Sequence, residues 1–268
     1  MMKTEKSLAI VLLVFFVSCA SSQKKLEQAR EKDPKYQYNV GLFYLNSSNV
    51  DEAIKYLNRS LSLDPRYYLA YNALGLAYSM KGNLQESIKN YQKCLEIAAD
   101  FSEARNNLGT AYQEIGYIDK AEEEFTKVLA DPKYANRELP YYNLARLYFV
   151  RQNFDQALAS VEMAIKLNGR LAMAYNLRGL ILEAQGKIGE AIESYKQALK
   201  LVPDELNFNF NLGAAYFKNN DWLRAGEILE KIAGKVTDPE MRDQLNSYLK
   251  AIKEKKPPFY VPSSQAAR

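Results

Sequence analysis

Two cysteine thiols, Cys19 and Cys94, and a complete lack of histidine set the chemistry open to this sequence. Without an imidazole there is no Ser-His-Asp or Cys-His nucleophile, no imidazole proton relay and no ordinary zinc site. No paired carboxylates stand in a cleft-like context and no glycine-rich phosphate loop is present. The chain is therefore expected to be no enzyme and to take no cofactor, metal or small-molecule substrate. Its net charge of +4, from 36 basic against 32 acidic residues, is too small to draw in nucleic acid by counterion release. With 47% apolar and 25% charged side chains in 268 residues, the composition is that of a folded protein with a substantial core. What the two thiols do depends on the segments around them.

Cys19 closes a leader. Residues 1–6 carry two lysines, and ten apolar residues follow without interruption from Leu8 to Val17. This is the n-region and h-region of a secretory signal. Ten helical residues span about half of a bilayer's hydrocarbon core, which disfavours a permanent membrane helix. The junction Phe16-Val17-Ser18-Cys19, followed by polar Ala20-Ser21-Ser22-Gln23-Lys24-Lys25, resembles a bacterial lipobox; the other reading is an ordinary signal peptide with an incidental cysteine. The lipobox resemblance implies that residues 1–18 are removed and that Cys19 carries acyl chains such as palmitate on its sulfur and amino group. Several chains anchor firmly, at about 0.8 kcal/mol per buried methylene. Because Ala20 is not aspartate, the resemblance also implies sorting to the outer membrane, with the body facing the periplasm. Cys94 would then be left without an intramolecular partner in an oxidising compartment, and its spacing marks it as a buried small hydrophobe.

The body repeats itself. Small residues recur at Gly41, Gly75, Gly109, Ala145, Gly179 and Gly213, at intervals of 34, 34, 36, 34 and 34. A second series, Ala53, Ser87, Ala121, Ala157, Ala191 and Ala225, follows twelve residues behind the first. Tyr44, Tyr78, Tyr112, Tyr148, Leu182 and Tyr216 stand three past the first series; Leu57, Tyr91, Phe125, Val161, Tyr195 and Leu229 stand four past the second. Both offsets are helical, so each copy reads as two amphipathic helices brought close by the small residue. Lys81-Gly82-Asn83, Ile115-Gly116-Tyr117 and Gln185-Gly186-Lys187 mark turns inside copies, and Asp64-Pro65, Asp131-Pro132, Val202-Pro203 and Asp238-Pro239 mark their ends.

This 34-residue code resembles the tetratricopeptide repeat. The expected fold is all-α: a right-handed superhelical solenoid of six repeats over 34–239 (34–67, 68–101, 102–137, 138–171, 172–205 and 206–239) with a concave inner face. Residues 19–33 would be a lipidated polar spacer, with helix near Leu26 to Ala29. Residues 240–255 read as a capping helix with Met241, Leu245, Tyr248, Leu249 and Ile252 on one face, and 256–268 as a flexible tail whose Phe259-Tyr260 could touch a partner. Arg178 breaks the code where Val40, Leu74, Leu108, Leu144 and Leu212 stand elsewhere; it reads as a snorkelling side chain or as a buried functional charge.

Members of that family hold a peptide or helix against their first helices. The resemblance implies a partner-binding groove at Tyr38, Leu42 and Leu45; Asn72, Leu76 and Ser79; Asn106, Thr110 and Gln113; Tyr142, Arg146 and Phe149; Asn176, Leu180 and Glu183; and Phe210, Ala214 and Phe217. The recurring asparagines can both donate to and accept from a ligand's backbone. Of these positions only Arg146 could join a basic clamp on a carboxylate, so such a clamp is not expected. Tyr38, Leu42 and Leu45 form either an apolar hot spot or a seat for the amino-terminal spacer.

The lipobox, the six copies and the two-residue insertion before Tyr142-Asn143-Leu144-Ala145 together resemble the type IV pilus biogenesis lipoproteins of the PilF/PilW and Tgl kind. That resemblance implies a pilotin, an outer-membrane lipoprotein that assists localisation and assembly of the pilus secretin, its protein partner. The alternative is an adaptor lipoprotein for another envelope complex, serving peptidoglycan enzymes or outer-membrane protein assembly.

Overall fold

The computed structural model describes residue 27 and residues 29–255. The leader 1–18, Cys19 and the tail 256–268 lie outside the described residues. Among those described there is no strand. From residue 34 the helices succeed one another in pairs: α1 (Pro34–Asn46) and α2 (Val50–Leu63), α3 (Tyr68–Met80) and α4 (Leu84–Ile97), α5 (Ser102–Glu114) and α6 (Ile118–Ala130). They continue with α7 (Glu138–Val150) and α8 (Phe154–Leu167), α9 (Ala172–Ala184) and α10 (Ile188–Leu201), α11 (Leu206–Lys218) and α12 (Trp222–Ala233), then α13 (Pro239–Lys255). A short helical stretch at 29–31 precedes α1. The chain forms two compact units that meet in sequence after Glu124, inside α6.

Each pair turns back on itself through one left-handed residue. Gly82, Gly116 and Gly186 adopt φ of 73°, 81° and 77°, and Ser48, Gln152 and Asn220 do the same work at 57°, 58° and 60°. The residue after each sends its N–H five residues back, as Asn83 does to Tyr78 (2.9 Å) and Asn153 to Tyr148 (2.9 Å). This Schellman closure satisfies carbonyls that the end of the first helix leaves bare. The next helix then starts on its own cap in several pairs: Asn83 Oδ1 accepts from the Glu86 N–H, and Asn153 Oδ1 from that of Gln156 (both 3.3 Å).

Packing within a pair is a matter of volume matching. A Cβ on Gly75 would sit 2.4 Å from the Tyr91 ring, and one on Gly179 equally close to Tyr195, so both tyrosines fit only because the opposing helix has no side chain there. Where the fourth pair carries Ala145, the facing residue shrinks to Val161, and both are fully buried. Ser87 replaces the small alanine of α4 and donates its hydroxyl to the Gly75 carbonyl (2.8 Å). Between pairs, the first helix of one packs on the second helix of the pair before it, as α3 does on α2 and α9 on α8. The second helices bring aliphatic residues seven apart to these junctions: Ile54 and Leu61 in the first unit, Leu158 and Ile165 in the second.

Four first-type helices are also tied to the loop before them by their fourth residue. Gln37 donates to the Glu31 carbonyl (3.0 Å), Arg105 to Ala99 (2.6 Å), Asn209 to Pro203 (3.0 Å) and Arg242 to Val236 (3.0 Å). The last of these belongs to α13, which thus starts as a further first helix would. Its Leu245 and Ile252, each 1% exposed, join Leu229, Ile232 and Val236 in the core, and its Tyr248 ring lies 5.1 Å from that of Phe217.

Arg178 is partly exposed, as a snorkelling side chain would be, and does not stand alone. Its guanidinium donates to Ser194 Oγ (2.7 Å) and lies 3.6 Å from a Glu162 oxygen, which joins α9 to both neighbouring second helices. Cys94 is fully buried in α4, and burial pushes its thiol up to about 12, against a small opposing effect from the Asn72 backbone. A thiol held protonated in this way is a poor nucleophile.

Candidate functional site

In the first unit the expected binding residues divide by depth. Tyr38 and Leu42 are half-buried against the core of the first two pairs, with the Tyr38 ring set edge-on to Tyr67 at 5.3 Å. Burial, with Tyr67 and Tyr68 adding to it, raises the Tyr38 phenol above its ordinary range. Leu45 is a core residue at 6% exposure, so the trio offers two side chains, and not three, to a ligand. Asn106 is likewise inside, at 7%, and its backbone carbonyl accepts from the Thr110 hydroxyl at 3.1 Å. Leu76 is 45% exposed, and Gln113 is half-buried with an Oε1 that has no hydrogen-bond partner.

The asparagines are partly spoken for. Asn72 Oδ1 accepts from the side chain of Asn107 (3.3 Å), and in the second unit Asn176 Oδ1 accepts from Asn211 (2.9 Å). Each bond runs thirty-five residues forward to the next first helix. One acceptor site per amide is thus used in joining pairs, which shifts the balance of what remains toward donation.

The second unit brings its residues together around a cavity of about 340 Å³ lined by Phe149, Leu180, Glu183, Ala184, Ile188 and Lys218. Phe149 comes from α7, Leu180 and Glu183 from α9, Ile188 from the start of α10 and Lys218 from the end of α11. The Phe149 ring lies 5.9 Å from that of Phe154. Glu183 accepts from the buried Tyr195 hydroxyl at 3.0 Å and is ion-paired to Lys218. Burial alone would lower the Lys218 ammonium; the hydrogen bond and charge of Glu183 outweigh it and hold it above the ordinary range. Burial, with the Glu183 charge behind it, raises the Tyr195 phenol strongly. Nearby, burial also raises the Tyr142 phenol, with the Arg146 charge opposing.

Chemically this is a greasy slot with an internally neutralised ion pair at one wall. It can seat one apolar side chain of a bound polypeptide and hydrogen-bond its backbone, and it holds no nucleophile with an adjacent base. Lys218 lies one residue past the positions expected from the family pattern, and its companion across the next pair identified it only in three dimensions. Among the described residues no three Cys, Asp or Glu side chains gather where they could hold a metal ion. No described helix is long and apolar enough to cross a membrane.

Paired helices stacked by aliphatic junctions, with a slot formed by three first helices and the start of one second helix, define a helical-repeat interaction scaffold. The family signature described as tetratricopeptide repeat matches residues 35–100 and 67–133, and a related one described as TPR repeat matches residues 181–220. The chain is a tetratricopeptide-repeat protein. In fold it resembles PilF of Pseudomonas aeruginosa (TM-score 0.71, 17% identity, covering 82% of this chain and 99% of that one). It resembles equally a structure of PilW, described as a widely conserved type IV pilus biogenesis factor (TM-score 0.74, 16% identity, 80% and 98% covered). Among curated relatives, surface lipoprotein assembly modifier 1 of Neisseria meningitidis is 26% identical over 83 residues, 31% of this chain. The chain spans only 17% of that relative's length, and 9% of human tetratricopeptide repeat protein 13, which is 33% identical over 76 residues.

Proposed function

We propose that this protein is an outer-membrane lipoprotein, anchored through Cys19 and facing the periplasm, that grips a segment of another polypeptide along its first helices. The reading extends to a pilotin: the bound polypeptide is the secretin subunit of a type IV pilus system, and tethering raises its local concentration where rings assemble. The observation that carries the gripping function is the slot between Phe149, Leu180 and Ile188, an apolar recess flanked by side chains that can hydrogen-bond a backbone. The lipobox resemblance supports the anchor, and the likeness of fold to PilF and PilW over nearly their whole length supports the pilus system.

The test is a chromosomal deletion complemented with wild type, Leu180→Glu or Cys19→Ala. Wild type should restore detergent-resistant secretin multimers in outer-membrane fractions. Leu180→Glu should remain folded and membrane-bound yet fail to restore them, and Cys19→Ala should move to the soluble fraction. Normal multimers in the deletion strain would reject the secretin; a Cys19→Ala protein still in the membrane would reject the anchor.

A further inference from the structure

The first pair presents a face that later pairs keep covered. In α3, Leu74 is 2% exposed beneath α2; in α11, the corresponding Leu212 and Tyr216 are 5% and 7% exposed beneath α10. In α1 the position of Leu74 and Leu212 is held by Val40, only half-buried, and Phe43, whose counterparts Ala77 and Ala215 are fully buried, is 65% exposed; Tyr44 is half-buried as Tyr78 is. Together with Tyr36 and Tyr56, Val40, Phe43 and Tyr44 line a cavity of about 870 Å³. Tyr44 and Tyr56 stack at 5.3 Å, so the wall is preformed. Gln37 also lines it: the side chain is 2% exposed, its Nε2 is tied to Glu31, and its Oε1 has no hydrogen-bond partner. A buried acceptor left bare costs roughly 1–3 kcal/mol.

We propose that this face is a docking site for an amphipathic α-helix of a partner protein, seated as the second helix of a preceding pair would be. Register fixes the occupant. The first helices α3, α9 and α11 are each covered by a helix carrying branched aliphatic residues seven apart, Ile54 and Leu61, Leu158 and Ile165, and Ile192 and Leu199 respectively. The partner helix therefore carries such a pair. With residues 1–18 removed, as the proposed anchoring at Cys19 requires, the chain's own residues 20–26, Ala-Ser-Ser-Gln-Lys-Lys-Leu, contain one large apolar residue and do not supply that stripe. A second copy could not continue the stack from behind, because its last helix, α13, shows exposed Arg242, Asp243, Asn246 and Lys253. The site is formed by residues of the first unit alone and does not depend on the reading given to the slot of the second.

The probe is a fluorescein-labelled, lactam-stapled peptide of residues 188–201, whose Ile192 and Leu199 give the required stripe. It is titrated by anisotropy against the full chain in detergent and against Phe43→Glu, Tyr36→Glu and Leu180→Glu. Binding should weaken about tenfold or more in the first two variants, equal to 1.4 kcal/mol, and stay unchanged in Leu180→Glu. Circular dichroism of each variant verifies that it is folded. The proposal is overturned if the peptide does not bind up to about 1 mM, if Phe43→Glu and Tyr36→Glu bind as wild type, or if Leu180→Glu loses binding equally. It is also overturned if sedimentation shows a dimer that Phe43→Glu dissolves, since the face would then belong to a second copy.

Discussion

The two ends of the chain start from the same code and finish differently. At the carboxyl end α13 lays Leu245 and Ile252 over the last pair, and the junction is as dry as an internal one. At the amino end Val40, Phe43 and Tyr44 meet a cavity where a helix would sit. In a repeat stack each pair lends its neighbour half of a core, so a face that no described residue covers keeps apolar surface exposed. The partner helix proposed above would cover the face that the described residues leave open.

The largest effect should come from opening the closed end. Leu245→Ala and Ile252→Ala each remove a fully buried aliphatic side chain and should cost about 2–5 kcal/mol, whereas Phe43→Ala at the open end should stay within about 0.5 kcal/mol. Denaturant titrations measure both, and equal losses would erase the contrast. Next in size, Gly41→Ala and Gly213→Ala sharpen it, because a new Cβ would lie 2.7 Å from Leu57 in the first pair and from Leu229 in the last. Each should cost about 1–3 kcal/mol by overpacking. Matching costs would confine the difference between the ends to their outer faces; a much cheaper Gly41→Ala would mean that the first pair is loose throughout.

The smallest effect is one of pH, and it tests the interior that both ends are compared with. The Cys94 thiol, ordinarily near 9.0, is raised to about 12 in the folded chain by burial. The folded state therefore holds the proton more tightly than the unfolded one. Its contribution to stability is complete below about pH 9 and is lost as pH rises from about 9 toward about 12. In a Cys19→Ala background the folded protein should be inert to a thiol reagent at pH 8 and react fully in denaturant. Reaction at the free-thiol rate while folded would show that the junctions breathe as readily as the open face.

Much of this was legible in the sequence. The small residues at 34-residue intervals announced the pairs because the space they leave is what the tyrosines of α4 and α10 occupy. Three of the six turns were legible as well, since glycine advertises a left-handed residue. The other three were hidden, because Ser48, Gln152 and Asn220 enter that region at a cost no composition rule reveals. Leu45 looked like groove lining because helical spacing gives a direction and not a depth. The pairing of Glu183 with Lys218 was out of reach for another reason: it joins residues thirty-five apart across two pairs, and only stacking makes them neighbours. The exposed face of α1 was invisible for the opposite cause, since Val40 fits the code as well as any, and its burial depends on what lies against it.

The left-handed turns have a consequence for inheritance. Every one is sealed by hydrogen bonds that begin and end within its own pair. A duplication or loss of one interior 34-residue block would leave all remaining seals intact and present the same aliphatic pair to the same small-residue face. Lineages carrying this chain can therefore gain or shed length in whole steps while each intermediate still folds, and reach toward a partner becomes a quantity that selection adjusts by counting.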